Sequence, residues 1–184
     1  MHIETIGLIN RSKKGDTIAF GQLVLNYSDY VFSVVFRLVN NEPFAEDLVQ
    51  ETFIKAWRNI KLYDASRSRF TTWLFTIATR LTFDWMKAHK EWMSLDVELP
   101  VGSRVIYKES DELENQELGQ MIRKACRSLS VQQKMVFVMR DLEDLTVEEV
   151  VAITGFSEKK IKDNLYVARK KVREQLGIYL NSEL

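Results

Sequence analysis

The chain has 184 residues and a single cysteine, Cys126. One thiol cannot close an internal disulfide, so the sequence predicts a fold built without cross-links and suited to a reducing compartment. Only His2 and His89 could join it as soft ligands, and they stand far apart. No metal-ligand spacing results, and Cys126 reads as a small buried apolar residue on a helix. Two prolines and seven glycines leave few breakers, which favours helices. No window holds the roughly 18 apolar residues of a membrane span, and the first ten residues carry no cleavage-site pattern. The expectation is a cytoplasmic chain with no membrane insertion. A Gly-rich phosphate loop and a catalytic triad spacing are missing too. A small-molecule enzyme is therefore the weakest reading, and no cofactor or metal is expected.

An excess of either charge is also lacking: 26 Lys and Arg stand against 26 Asp and Glu. Neutrality of the whole does not exclude a nucleic-acid partner, because the charge is unevenly placed. Residues 157–184 hold seven basic and four acidic side chains, whereas residues 96–125 hold four and seven. A local basic face is what phosphate binding needs. Hydrophobic residues make up 46%, enough for a packed core.

Residues 16–40 read as two helices, the first capped by Asp16 or Thr17 and the second by Ser28 or Asp29. Asn40 to Pro43 make a short turn. A helix then runs from about Pro43 to Ile60, with proline at its tolerant first turn and Glu46 and Asp47 near its positive end. Val49, Phe53, Ala56, Trp57 and Ile60 form one apolar stripe. Asp47, Gln50, Glu51, Ile54, Lys55 and Arg58 fall on the other face.

A polar loop follows, Lys61 to Arg69, carrying three positive charges. Phe70 to Trp92 reads as a long helix with Trp73, Leu74, Ile77, Ala78, Leu81 and Trp85 along one side. Basic residues interleaved with aromatics can track a phosphate backbone and stack unpaired bases; equally, the aromatics can be core and the charges solvated. Residues 94–112 contain Pro100 and Gly102 and keep no period, so they read as a linker with an acidic end.

Helical spacing returns from Leu113. Ser130–Gln133 and Thr146–Glu149 fit capping boxes, and Gly155 punctuates. Ser157 caps a helix to about Leu176 that buries Ile161, Leu165, Ala168 and Val172. Short helix, glycine turn and longer helix follow the helix-turn-helix plan, whose second helix enters the major groove. The fold expected is all-α: an N-terminal domain over 1–93, a flexible linker over 94–112, and a C-terminal helix-turn-helix domain over 113–184. As a solvated helix the last segment would carry no function. As a reading helix it would present Glu158, Lys159, Lys160, Lys162, Asp163 and Tyr166 to bases, with Arg169, Lys170, Lys171 and Arg173 toward phosphate.

Glu46-Asp47-Leu48-Val49-Gln50-Glu51-Thr52-Phe53-Ile54-Lys55-Ala56-Trp57 resembles the polymerase-binding helix of bacterial RNA polymerase sigma factors of the extracytoplasmic-function (ECF) group. Phe70 to Ala78 is similar to that family's promoter-melting helix. Leu145 to Val150, Gly155 to Glu158 and Ala168 to Glu174 are similar to its C-terminal helix-turn-helix. Three matches in the right order cover nearly the whole chain.

The resemblance implies a specificity subunit, not an enzyme, with bacterial core RNA polymerase and promoter DNA as partners and an anti-sigma factor as an inhibitor. Asp47, Gln50, Glu51 and Ile54 would contact polymerase. Arg67, Arg69, Trp73, Arg80, Asp84 and Lys87 would hold the opened minus-ten element. Lys159, Lys160, Lys162, Asp163, Tyr166, Arg169 and Lys170 would face the minus-thirty-five element. Arg80 stands where the family usually has Asn, and Asp163-Asn164 where it usually has Ser-Arg. Both departures bear on promoter preference and on DNA affinity. Outside the resemblance, a free-standing helix-turn-helix regulator and a sigma-like interaction module without promoter activity are the other readings.

Overall fold

The computed structural model describes residues 2–89 and 125–182. The described residues are helical, with no strand among them. They divide into two compact units, the first holding residues 2–85 and the second holding 86–89 with 125–182. The linker expected over 94–112 and the helical start expected at Leu113 lie outside the described residues, as does the end expected at Trp92.

In the first unit α1 spans His2–Lys13, α2 Thr17–Val39 and α3 Glu42–Asn59, and α4, Phe70–Ala88, belongs to it as far as Trp85. A single 3-10 turn, Ile60–Leu62, follows α3. The ends are set by side chains. Asp16 accepts from the amides of Ile18 and Ala19 at 3.0 and 2.9 Å and so caps α2. Asn40 ends α2 in the left-handed conformation, φ 51, which asparagine tolerates better than most residues. Asn41 caps α3 through the Phe44 amide, with Pro43 in the first turn.

α2 is one continuous helix, where the sequence predicts two. Leu23, Val31, Val34, Val35 and Leu38 are all buried, and Tyr27 bridges the gap between them. Its ring meets Phe70 edge-on at 5.3 Å, so the buried stripe runs unbroken past Ser28 and Asp29. α1 and α3 both pack on α2.

α4 departs from its expected face. Leu74, Phe75, Ala78, Thr79 and Thr82 are buried, while Trp73, Ile77, Leu81 and Trp85 are half-buried. Two threonines reach the core because their hydroxyls bond back to their own helix. Thr79 donates to the Phe75 carbonyl and Thr82 to that of Ala78, each at 2.7 Å.

In the second unit α5 spans Val131–Phe137 and widens into a π-helical turn, Val138–Leu142. α6 spans Val147–Thr154 and α7 Glu158–Ser182, past the end expected near Leu176. Both capping boxes close reciprocally, Ser130 with Gln133 and Thr146 with Glu149. Gly155 ends α6 at φ 70. Ser157 then accepts the Lys160 amide at 3.3 Å and opens α7. Cys126 is buried with Ala125, Leu129, Phe137, Ala168 and Val172 in one core.

Candidate functional site

Three surfaces carry the residues singled out from the sequence. The first is the outer face of α3. Burial of Ala45, Leu48, Thr52, Phe53 and Ala56 fixes the helix's rotation. Asp47, Gln50, Glu51 and Ile54 then share the opposite side at three- and four-residue spacing. Asp47 and Gln50 are exposed and Glu51 is half-buried. Ile54 is 44% exposed, an apolar side chain among polar ones. Leu62, 78% exposed on the 3-10 turn, is a large apolar residue that the sequence reading missed in this region.

The second surface is the loop before α4 and the outer side of α4. The loop, read from sequence as merely polar, is organised by a buried residue. Tyr63 is 5% exposed. Its hydroxyl donates to the Ser68 carbonyl at 3.0 Å, and its own carbonyl accepts from the Lys13 ammonium at 2.6 Å. Its ring touches Phe70 at 5.4 Å and Trp73 at 5.3 Å. Desolvation, with Asp64 nearby, holds the phenol above its ordinary pKa. Asp64 closes the turn by accepting from the Ser66 amide and hydroxyl at 2.9 and 2.8 Å, and these bonds keep its carboxyl below the ordinary range.

Ser68 thus anchors the segment between Arg67 and Arg69, both of which are exposed. Arg67 lies 3.9 Å from Asp64. Trp73, Arg80, Asp84 and Lys87 fall on one side of α4, opposite the buried face. Arg80, Asp84 and Lys87 are exposed along it. Trp73 is only half available, since its ring also packs on Phe70 at 5.6 Å. From Phe70 to Lys87 the helix rises roughly 25 Å, so the expected minus-ten residues form a strip rather than a pocket.

The third surface is α7. Ile161, Leu165, Ala168 and Val172 are buried as expected. Lys159, Lys162, Asp163, Tyr166 and Lys170 therefore face outward together, and Tyr166 is 71% exposed. Lys162 pairs with Glu158 at 3.5 Å, and Lys170 with Glu174 at 4.0 Å, within the helix. Lys160 is not on this face: its ammonium sits 4.1 Å from the centre of the Phe156 ring. Lys171 turns inward to the Ser128 carbonyl at 3.0 Å. Arg169, expected to be open to phosphate, is held by Asp141 of the π turn. Nε to Oδ2 is 2.8 Å and Nη2 to Oδ1 is 2.6 Å. That fork raises the arginine's pKa further. No group of three or more metal-ligating side chains occurs among the described residues. Nor is any described helix long and apolar enough to cross a membrane.

Comparison with known proteins finds two family models along the chain. The family described as Sigma-70 region 2 matches residues 23–91, and Sigma-70, region 4 matches residues 119–172. The chain is 31% identical over 177 residues to the ECF RNA polymerase sigma factor SigW of Bacillus subtilis, covering 91% of this chain and 94% of that one. Its structure is similar to that of the sigma factor RpoE from Bartonella quintana, solved with the anti-sigma factor NepR. The TM-score is 0.64 at 25% identity, over 86% of this chain and 97% of that one. CnrH, solved with the cytosolic domain of CnrY, shares the fold with a TM-score of 0.62 at 21% identity, over 95% of this chain and 97% of that one.

Proposed function

Because the chain belongs to the ECF group of RNA polymerase sigma factors, we propose that it binds core polymerase through the outer face of α3 and carries it to promoters through α4 and α7. Phosphodiester chemistry stays with the polymerase. Asp47, Gln50 and Glu51 supply polar contacts to core, and Ile54 supplies the apolar centre that such interfaces need. Arg67 and Arg69 hold backbone phosphate at the opened minus-ten element. Trp73 offers a ring edge for a base, and Arg80, Asp84 and Lys87 extend the strip. Lys159, Lys162, Asp163 and Tyr166 face the minus-thirty-five major groove, with Lys170 toward phosphate. The domains are assigned to 1–93 and 113–184. The site of action is the cytoplasm, where polymerase and chromosome meet. An anti-sigma factor is a further partner, by likeness to the complex of RpoE with NepR.

The observation that carries this reading is exposed Ile54 among Asp47, Gln50 and Glu51 on a helix whose other face is fully used by the core. It is tested by titrating labelled chain with bacterial core polymerase. Asp47→Ala/Gln50→Ala/Glu51→Ala leaves the folded core untouched and is expected to abolish tight binding. A folded wild-type chain that fails to bind core would sink the proposal. The acid at Asp163, together with the engagement of Arg169 by Asp141, favours a second reading: an interaction module with decayed DNA contacts. Normal core binding without promoter-directed transcription would select it.

A further inference from the structure

Arg169 and Asp141 lie 28 residues apart and meet in a two-point fork at 2.8 and 2.6 Å. Both ends of this contact are fixed by backbone. Asp141 sits in the π turn, which is pinned by the Glu143 amide on the Val138 carbonyl and the Leu145 amide on the Met139 carbonyl, each at 2.9 Å. Arg140 beside it donates to the Leu145 carbonyl. Arg169 follows buried Ala168, and Val172 is buried one turn on, so the rotation of α7 at this point is set by the core. The arginine side chain remains 53% exposed, at the flank of the outward face.

A guanidinium binds phosphate or guanine by presenting two N–H groups in a plane. Here Nε and Nη2, one such pair, are already taken, and the carboxylate cancels the charge. We propose that Asp141 is a positioning residue that withholds Arg169 from DNA phosphate, so that α7 binds with one ionic contact fewer than its sequence offers. This rests on the reading of α7 as the DNA-facing helix. It makes DNA affinity depend on a residue outside the helix-turn-helix.

Counterion release makes the effect measurable. Each added phosphate contact steepens the slope of log K against log salt by about 0.9, so between 50 and 200 mM salt the loss of affinity grows by about 3.5-fold. The test titrates the full-length chain onto a labelled random-sequence duplex of about 30 base pairs across that salt range. Asp141→Asn is expected to bind more tightly and to show the steeper slope, and Asp141→Ser the same, should one of the two fold poorly. Arg169→Gln alone should leave the slope near wild type.

In the Arg169→Gln background, Asp141→Asn should leave the salt slope unchanged, and any gain in affinity there measures the mere loss of a nearby negative charge. Four results overturn the inference: an unchanged or shallower slope in both Asp141 variants, looser binding by them, a steepening by Asp141→Asn that persists without Arg169, or a slope that falls by about 0.9 in Arg169→Gln alone. If neither wild type nor the Asp141 variants bind duplex even at the lowest salt, the DNA-binding reading fails and the inference with it. Binding by wild type with no response at Asp141 overturns the inference alone.

Discussion

Replacing Tyr63 with phenylalanine removes one hydroxyl and leaves the ring in place. The ring contacts to Phe70 and Trp73 survive, and so does the Lys13 bond, which goes to the backbone. What is lost is the 3.0 Å bond to the Ser68 carbonyl. A partly buried intramolecular bond contributes about 0.5–1.5 kcal/mol net, and the carbonyl left behind can recover part of its hydration at the loop surface. The expected cost is therefore about 1 kcal/mol. For a unit of this size that is a fall of about 4–8 °C in midpoint. It is also a roughly fivefold shift against the ordered loop that carries Arg67 and Arg69.

Urea unfolding followed by tryptophan emission measures the first effect. Promoter opening by the holoenzyme measures the second. An unchanged urea midpoint would refute the role given to the hydroxyl. A loss above about 3 kcal/mol, the scale of deleting a whole ring, would show that the aromatic cluster depends on the hydroxyl and that the pivot has been misassigned.

Three further outcomes follow from the caps and turns. Asp16 has its pKa lowered, chiefly by the Ala19 amide and then by Arg11, so its stabilising effect is present above the ordinary value of 3.8 and is lost as pH falls through the lower folded value. Asp16→Asn keeps an acceptor for the cap and should flatten the acid limb of a stability-versus-pH curve; an unaltered limb counts against the cap. Gly155→Ala puts a side chain at φ 70 and should cost about 1 kcal/mol in thermal unfolding, although the space there is open. Equal stability would mean that the turn relaxes. Thr146→Ala should cost about 1 kcal/mol by removing the cap on the Glu149 amide. In the double-mutant cycle Glu149→Ala should then add little, because the two halves of the box depend on each other.

Much of the fold could be read because helix ends are written locally. Asp16, Ser130, Thr146 and Ser157 each act on an amide two or three residues away, and Gly155 ends its helix by its own conformation. α2 shows where such reading fails. Ser28 and Asp29 have cap chemistry, but a cap works only where the chain needs an end. Tyr27 packing on Phe70 keeps the buried stripe continuous, so there is none. On α4, spacing put Trp73 and Ile77 on one apolar side with Leu74 and Ala78 and left out Thr79 and Thr82. The threonines win the inner face because each cancels its own hydroxyl within the helix, which no transfer scale credits.

The candidate surfaces divide the same way. On α3, Asp47, Gln50, Glu51 and Ile54 lie opposite the buried side as spacing predicts, but that side takes in Leu48 and Thr52 and leaves Val49 and Trp57 of the expected stripe half-buried. α7 was legible in its inward face and only partly in its outward one. Lys159, Lys162, Asp163, Tyr166 and Lys170 point outward as spacing demands. Lys160 and Arg169 are diverted by partners that spacing cannot supply, an aromatic ring four residues back and a carboxylate in another element. Tyr63 was hidden for the same reason: nothing beside it in sequence says that Lys13 and Phe70 will close over it. On α7 both diversions take a cation off the outward face, and the Asp141 fork also cancels the charge of its arginine. With Asp163 also on the reading face, the isolated chain should hold duplex DNA weakly and bind promoters chiefly when polymerase adds its own contacts. Tight binding of duplex by the free chain at physiological salt would show that this charge accounting is wrong.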